Sequence, residues 1–165
     1  ETSVGAHPAH VVRTMSRIIE QVEAEALDRL PKVEDPNDST SRSITRAAVN
    51  VANDVHASGV IAFTETGRSA RLVSRYRPAM PLMAFTPNPR VRSQLALSWG
   101  VETYLVPKAA STDDMVRLVD AALLDHGRAQ VGELLVIIAG VPPGVPGTTN
   151  GMRVHRMGAV IPSGI

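Results

Sequence analysis

The residues best suited to chemistry are Thr64-Glu65-Thr66-Gly67-Arg68-Ser69. Two threonine hydroxyls and a serine hydroxyl can donate to the oxygens of an anion. Gly67 lets the backbone approach closely, and Arg68 adds a planar cation suited to a phosphate. If a helix starts here, its first N–H groups lack carbonyl partners and add their own donors. Glu65 is the one acid in the run. Phosphate binding is the chemistry these types support, and an ordinary capped helix start uses the same residues.

A second segment, Gly140-Val141-Pro142-Pro143-Gly144-Val145-Pro146-Gly147-Thr148-Thr149-Asn150, mixes prolines, which limit the entropy of ordering, with glycines, which permit unusual backbone angles. It suits a loop that folds over a ligand. A rigid crossover would use the same composition.

Other candidates carry less. His7 and His10 share a helix face but lack a third ligand, so no metal site is expected. His126 beside Gly127 fits a helix carboxyl end, and Asp113 and Asp114 fit a helix start. His56 closes a helix, and His155 has no serine or acid at a recognisable motif spacing. No catalytic residue is expected, since no triad, carboxylate pair or Walker-type lysine is present.

These residues need strands and helices to position them. The chain of 165 residues is 44% hydrophobic, enough for one sizeable core plus an appendage. Its 17 basic and 16 acidic residues are interspersed, giving no footprint for nucleic acid. Without cysteine there are no disulfides or thiolate zinc sites. The longest apolar run, Leu134 to Val141, is too short to cross a bilayer, so no membrane is expected and the location read is cytoplasmic. Glu1, rather than methionine, reads as an internal start.

Pro8 opens a predicted helix whose apolar positions Val11, Met15, Ile18 and Val22 form one stripe. Leu30-Pro31 to Asp38 reads as a linker. Ser41 or Ser43 is the expected cap of a second helix along Ile44, Ala47, Ala48, Val51, Ala52 and Val55, stopped by Gly59. Strands are then expected at Val60 to Phe63, Leu82 to Phe85, Val101 to Val106 and Leu134 to Ala139, with helices at Ser69 to Tyr76, Pro89 to Leu97 and from Ser111 to Gly127. Met152 to Met157 reads as an antiparallel edge strand. Short apolar strands alternating with helices imply an α/β fold: an open three-layer sandwich, its sheet of about five strands mostly parallel, with helices on both faces. In such sheets ligands lie beyond the carboxyl ends of the strands, where Thr64 to Ser69 and the Gly140 loop both fall.

Along essentially its whole length the chain resembles the carboxy-terminal part of the pyruvate kinases. Glu1 to Gly5, Pro8 and Val11 to Met15 resemble the family's last barrel loop and eighth helix. Ala47-Ala48-Val49, Phe63 to Ala70, and Tyr76-Arg77-Pro78 resemble the start of its regulatory domain. Gly147 to Asn150 with Arg153-Val154 resemble its effector loop and last strand. The resemblance implies barrel residues at 1–30, a linker at 31–40 and an effector-binding domain at 41–165. The family's catalytic residues, with its magnesium and potassium sites, would precede Glu1, so this chain would be inactive alone. The implied effector site is Thr64, Glu65, Thr66, Gly67, Arg68 and Ser69 with Gly144, Gly147 and Thr148, in a homo-oligomer. Members responsive to fructose bisphosphate carry a tryptophan and an arginine where this chain has Ser111 and Leu118. A hexose monophosphate or AMP is therefore the expected ligand. Two other readings stay open: an assembly module without ligand, and a free-standing phosphosugar- or nucleotide-binding module.

Overall fold

The computed structural model describes residues 2–26, 39–145 and 147–159. The chain divides into two units, residues 1–32 and 33–165. In the first, α1 (Pro8–Ala26) begins at Pro8, and the His10 and Val11 N–H groups both donate to the His7 carbonyl. None of its residues is buried. Val12, Met15, Ile18, Ile19 and Val22 each keep about half their surface exposed. The linker read at 31–40 lies mostly outside the described residues.

The second unit opens on α2 (Thr40–Asp54). Its cap is Ser39, which accepts from the Arg42 N–H, rather than Ser41 or Ser43. Three serines at alternate positions offer equivalent caps in the sequence, and Ser41 is turned instead into the interior. The buried face is Ser41, Thr45, Ala48, Val49 and Ala52. Gly59 does not stop the helix: α2 ends at Asp54, His56 takes the left-handed conformation (φ 51°), and Gly59 opens the first strand.

Strand and helix then alternate as β1 (Gly59–Phe63), α3 (Arg68–Arg75), β2 (Leu82–Thr86), α4 (Pro89–Leu95), β3 (Val101–Leu105), α5 (Thr112–Asp125), β4 (Leu134–Ala139) and β5 (Gly151–Arg156). The strands form one sheet of order β3-β2-β1-β4-β5. The first four are parallel, and β5 pairs antiparallel with β4, Val136 opposite Val154. Helix α4 is two residues shorter than expected, ending at Leu95.

The period of two along each strand divides the core. Val60, Ala62, Leu82, Ala84, Val136 and Ile138 face α2, α3 and α4. Ile61, Phe63, Met83, Phe85, Leu135 and Ile137 face Met115, Val116, Val119 and Leu123 of α5. Beneath α2, the fully buried Ala48 and Ala52 have no side-chain bulk to hold helix and sheet apart. The chain winds outward from β1 to β3, then returns through α5 to β4 on the far side of β1. The winding direction therefore reverses between β1 and β4, which opens a crevice at their carboxyl ends.

Candidate functional site

The crevice is built from the segments that leave β1, β3 and β4. The Thr64 N–H continues the ladder by donating to the Phe85 carbonyl. The Thr64 side chain then turns back, and its Oγ1 accepts from the Gly67 N–H at 2.8 Å. That short loop needs Gly67 at φ 78°, a left-handed angle that side-chain-bearing residues adopt at a cost. The guanidinium of Arg71 steadies it by donating to the Thr66 carbonyl at 2.9 Å.

Helix α3 starts at this turn in a distinctive state. Its cap residue Gly67 offers no side-chain bond, and its first turn holds no acid. By contrast α2, α4 and α5 are capped by Ser39, Asn88 and Ser111, and α5 carries Asp113 and Asp114 in its first turn. The first intrahelical bond of α3 joins the Arg71 N–H to the Gly67 carbonyl. The N–H groups of Arg68, Ser69 and Ala70 therefore have no carbonyl one turn behind them. Open N–H groups with the positive end of the helix dipole make an anion-attracting terminus.

Facing this turn is the segment that leaves β4. Asn150 closes its neck: Oδ1 accepts from the Val141 N–H at 2.7 Å, and Nδ2 donates to the Val141 carbonyl at 2.8 Å. The Thr148 hydroxyl donates to the Val145 carbonyl at 3.0 Å, folding the tip on itself. The cleft between turn and loop encloses about 50 Å³. Thr64, Glu65, Thr66, Arg68, Ser69, Gly144, Gly147 and Thr148 all line it, while Gly67 lies behind the turn as its hinge. Phe63, Phe85, Val106 and Met115 supply an apolar floor. Pro146 lies outside the described residues.

Two polar lining residues, Lys108 and Thr149, stand outside the site positions expected from the sequence. Lys108 follows β3 through Val106 and Pro107, and its side chain lies over Gly144. A Cβ at Gly144 would stand 2.9 Å from Lys108 Cε and 3.1 Å from Nζ. Lys108 and Arg68 pair with no carboxylate among the described residues, whereas Arg117 and Arg153 are held by Asp114 and Asp113. The only signal for Lys108 is its place just past a parallel strand's carboxyl end. The second is Thr149, 5% exposed, whose hydroxyl lies 2.6 Å from that of Ser69.

Helix α5 adds no cation to the cleft. Ser111 accepts from the Asp114 N–H at 3.1 Å, Arg117 is bound to Asp114 at 2.7 Å, and Leu118 packs toward the core. The sequence showed no acidic partner for His155, and the fold supplies one. His155 Nε2 lies 2.7 Å from Asp120 Oδ1, at 35 positions' separation, away from the cleft-lining residues. Among the described residues no three His, Asp or Glu side chains gather as metal ligands. No helix among them is long and apolar enough to cross a membrane.

Comparison with known proteins places these features in one family. The model of the pyruvate kinase alpha/beta domain matches residues 42–155. A pyruvate kinase of Mycobacterium tuberculosis is 47% identical over 159 residues, covering 96% of this chain and 33% of that protein. One from Staphylococcus aureus is 34% identical over 168 residues, covering 99% and 28%. The crystal structure of a pyruvate kinase from Cryptosporidium parvum superposes with a TM-score of 0.79 at 28% identity, over 95% of this chain and 32% of that one. The chain thus spans about a third of the length of the curated relatives it matches. With the alpha/beta sheet, the cleft at its switch point and these matches together, the chain belongs to the pyruvate kinase family and contains its carboxy-terminal domain.

Proposed function

We propose that this domain is the allosteric effector-binding and subunit-association part of a cytoplasmic pyruvate kinase, a protein that transfers phosphate from phosphoenolpyruvate to ADP. The observation that carries the reading is the uncapped amino terminus of α3, opening on a cleft with two uncommitted cations. A phosphate monoester would take N–H groups and hydroxyls from Thr64 to Ser69, with Arg68 on one wall and Lys108 on the other. Charge-assisted bonds of about 1.5 to 3 kcal/mol each support micromolar affinity when several act together.

The ligand favoured is a single phosphate on a hexose or an adenosine. Two cations against one carboxylate, Glu65, suit a dianion, and α5 offers no further charge for a bisphosphate. The space in the cleft is well below the roughly 300 to 1,000 Å³ of ligand pockets, so the ligand body requires the loop tip around Gly144 to shift outward while Thr149 stays at the base. Binding regulates only if affinity differs between two quaternary states of a homo-oligomer. The exposed stripe of α1, which the family resemblance assigns to the barrel, supports burial against other protein.

Calorimetry on the 165-residue chain with glucose 6-phosphate, AMP and fructose bisphosphate tests the reading. Heat is expected with the monophosphates first. A folded chain that gives no heat with any of them leaves the assembly-module reading in place.

A further inference from the structure

Ser69 belongs to the first turn of α3, yet its hydroxyl is already engaged. It lies 2.6 Å from the hydroxyl of Thr149, 80 positions later, at the base of the Gly140 loop. The Thr149 N–H in turn donates to Ser41 Oγ, in the first turn of α2, at 3.4 Å. All three residues are more than nine-tenths buried: Ser41 7% exposed, Ser69 7% and Thr149 5%. A buried chain of polar groups thus joins the phosphate turn, the loop and the start of α2.

Each hydroxyl has one proton to donate. Without a ligand, the bond between Ser69 and Thr149 can run in either direction. A phosphate dianion only accepts. If it takes the Ser69 proton, Ser69 can no longer donate to Thr149, and only Thr149 can donate across the pair. Ser69 then accepts from one side while donating to a charged group on the other, the arrangement in which successive hydrogen bonds strengthen each other.

We infer that Thr149 is a positioning residue for the effector phosphate: occupancy fixes the direction of the Thr149-to-Ser69 hydrogen bond and so ties the loop base to α3 and α2. This rests on the phosphate-site reading above. Ser69 is the group that would touch the phosphate, and Thr149 acts through it.

The test titrates the 165-residue chain, Thr149→Val and Thr149→Ser with glucose 6-phosphate and AMP. It follows heat together with hydrogen exchange of the amides between Val141 and Asn150. The expected result is an affinity loss of about tenfold for Thr149→Val, the scale of one charge-assisted bond. In that variant ligand no longer slows exchange in the loop, while Thr149→Ser binds within about twofold of the parent and keeps the protection. Thermal melts check folding, and Thr149→Ala replaces the valine variant if that one does not fold. A parent chain that binds neither compound removes the phosphate site and the inference together. A parent that binds, with Thr149→Val binding and protecting equally, overturns the inference alone. So does a serine variant as weak as the valine one, which would assign the effect to the methyl group rather than the hydroxyl.

Discussion

Replacing Gly67 with alanine probes the turn on which the site depends, and its cost divides into two parts. The first is conformational: at φ 78° an L-residue carries a penalty of about 1 to 2 kcal/mol. The second is steric. A Cβ there would stand 3.2 Å from Leu95 Cδ2, 3.3 Å from Val91 Cγ1 and 2.6 Å from Arg71 Nη1. The Arg71 guanidinium is the far end of a flexible chain and can swing away, giving up its bond to the Thr66 carbonyl. Leu95 is fully buried and Val91 6% exposed, so those two must shift inside a packed core, at about 1 to 2 kcal/mol more. The sum is about 2 to 4 kcal/mol. Gly100 serves as the control: at φ 64° it bears the conformational part, but nothing lies within 4 Å of its added Cβ. In urea, with an m-value on the order of 2 kcal/mol/M, Gly67→Ala should lower the midpoint by about 1 to 2 M. Gly100→Ala should lower it by at most about half as much. Gly67→Ala should also weaken glucose 6-phosphate binding, which Gly100→Ala leaves unchanged. Equal shifts for the two variants would refute the steric reasoning, and an unchanged midpoint for both would refute the conformational part as well.

Further predictions address charge, core, pH and assembly. Arg68→Gln and Lys108→Gln should each weaken AMP binding by about tenfold in calorimetry, less at high salt, without moving the melting temperature, because both side chains are exposed. Phe85→Ala should cost about 3 to 5 kcal/mol in urea unfolding, since the ring is fully buried, stacks on Tyr104 at a centroid distance of 4.8 Å and meets Phe63 at a tilt at 5.3 Å. Burial, and then the Glu102 carboxylate, raise the Tyr104 pKa above its ordinary value of 10.0. The folded chain therefore holds that proton more tightly than the unfolded one, and the associated stability is full below pH 10 and falls as pH rises beyond it. Tyr104→Phe should remove that part of the alkaline decline, as read from urea midpoints on either side of pH 10. Ile18→Glu in α1 should reduce self-association in sedimentation velocity. An unchanged oligomeric state would argue against burial of the stripe.

Much of this architecture was written in local patterns. Leu134 to Ala139 and Val60 to Phe63 are apolar runs of strand length, and both proved fully internal or nearly so, as parallel strands covered on two faces must be. Pro89 and Gly127 marked a helix start and a helix end through backbone geometry alone. The turn from Thr64 to Ser69 could be grouped from the sequence because its hydroxyls, glycine and arginine are contiguous, so no tertiary information was needed. The loop following β4 was likewise placed by its strand. Pairings across the fold stayed hidden. Ser69 meets Thr149, Lys108 meets Gly144 and Asp120 meets His155 only because distant elements converge, and no local spacing encodes that. Ser39 could not be told from Ser41 and Ser43 as the cap of α2, because what distinguishes them is the Thr149 N–H waiting for Ser41 on the inner side.

The two bonds by which the Asn150 amide holds the Val141 backbone have an evolutionary consequence. They end the sheet's influence at the loop neck, so the tip between Pro142 and Thr148, which leaves out the buried Thr149, is a cassette. Its residues can be exchanged, or their number altered, while the β4–β5 register stays fixed, and loop-closure entropy changes only slowly with length. Relatives can therefore differ in this one segment while the strands, the α3 terminus and the packing beneath it stay unchanged.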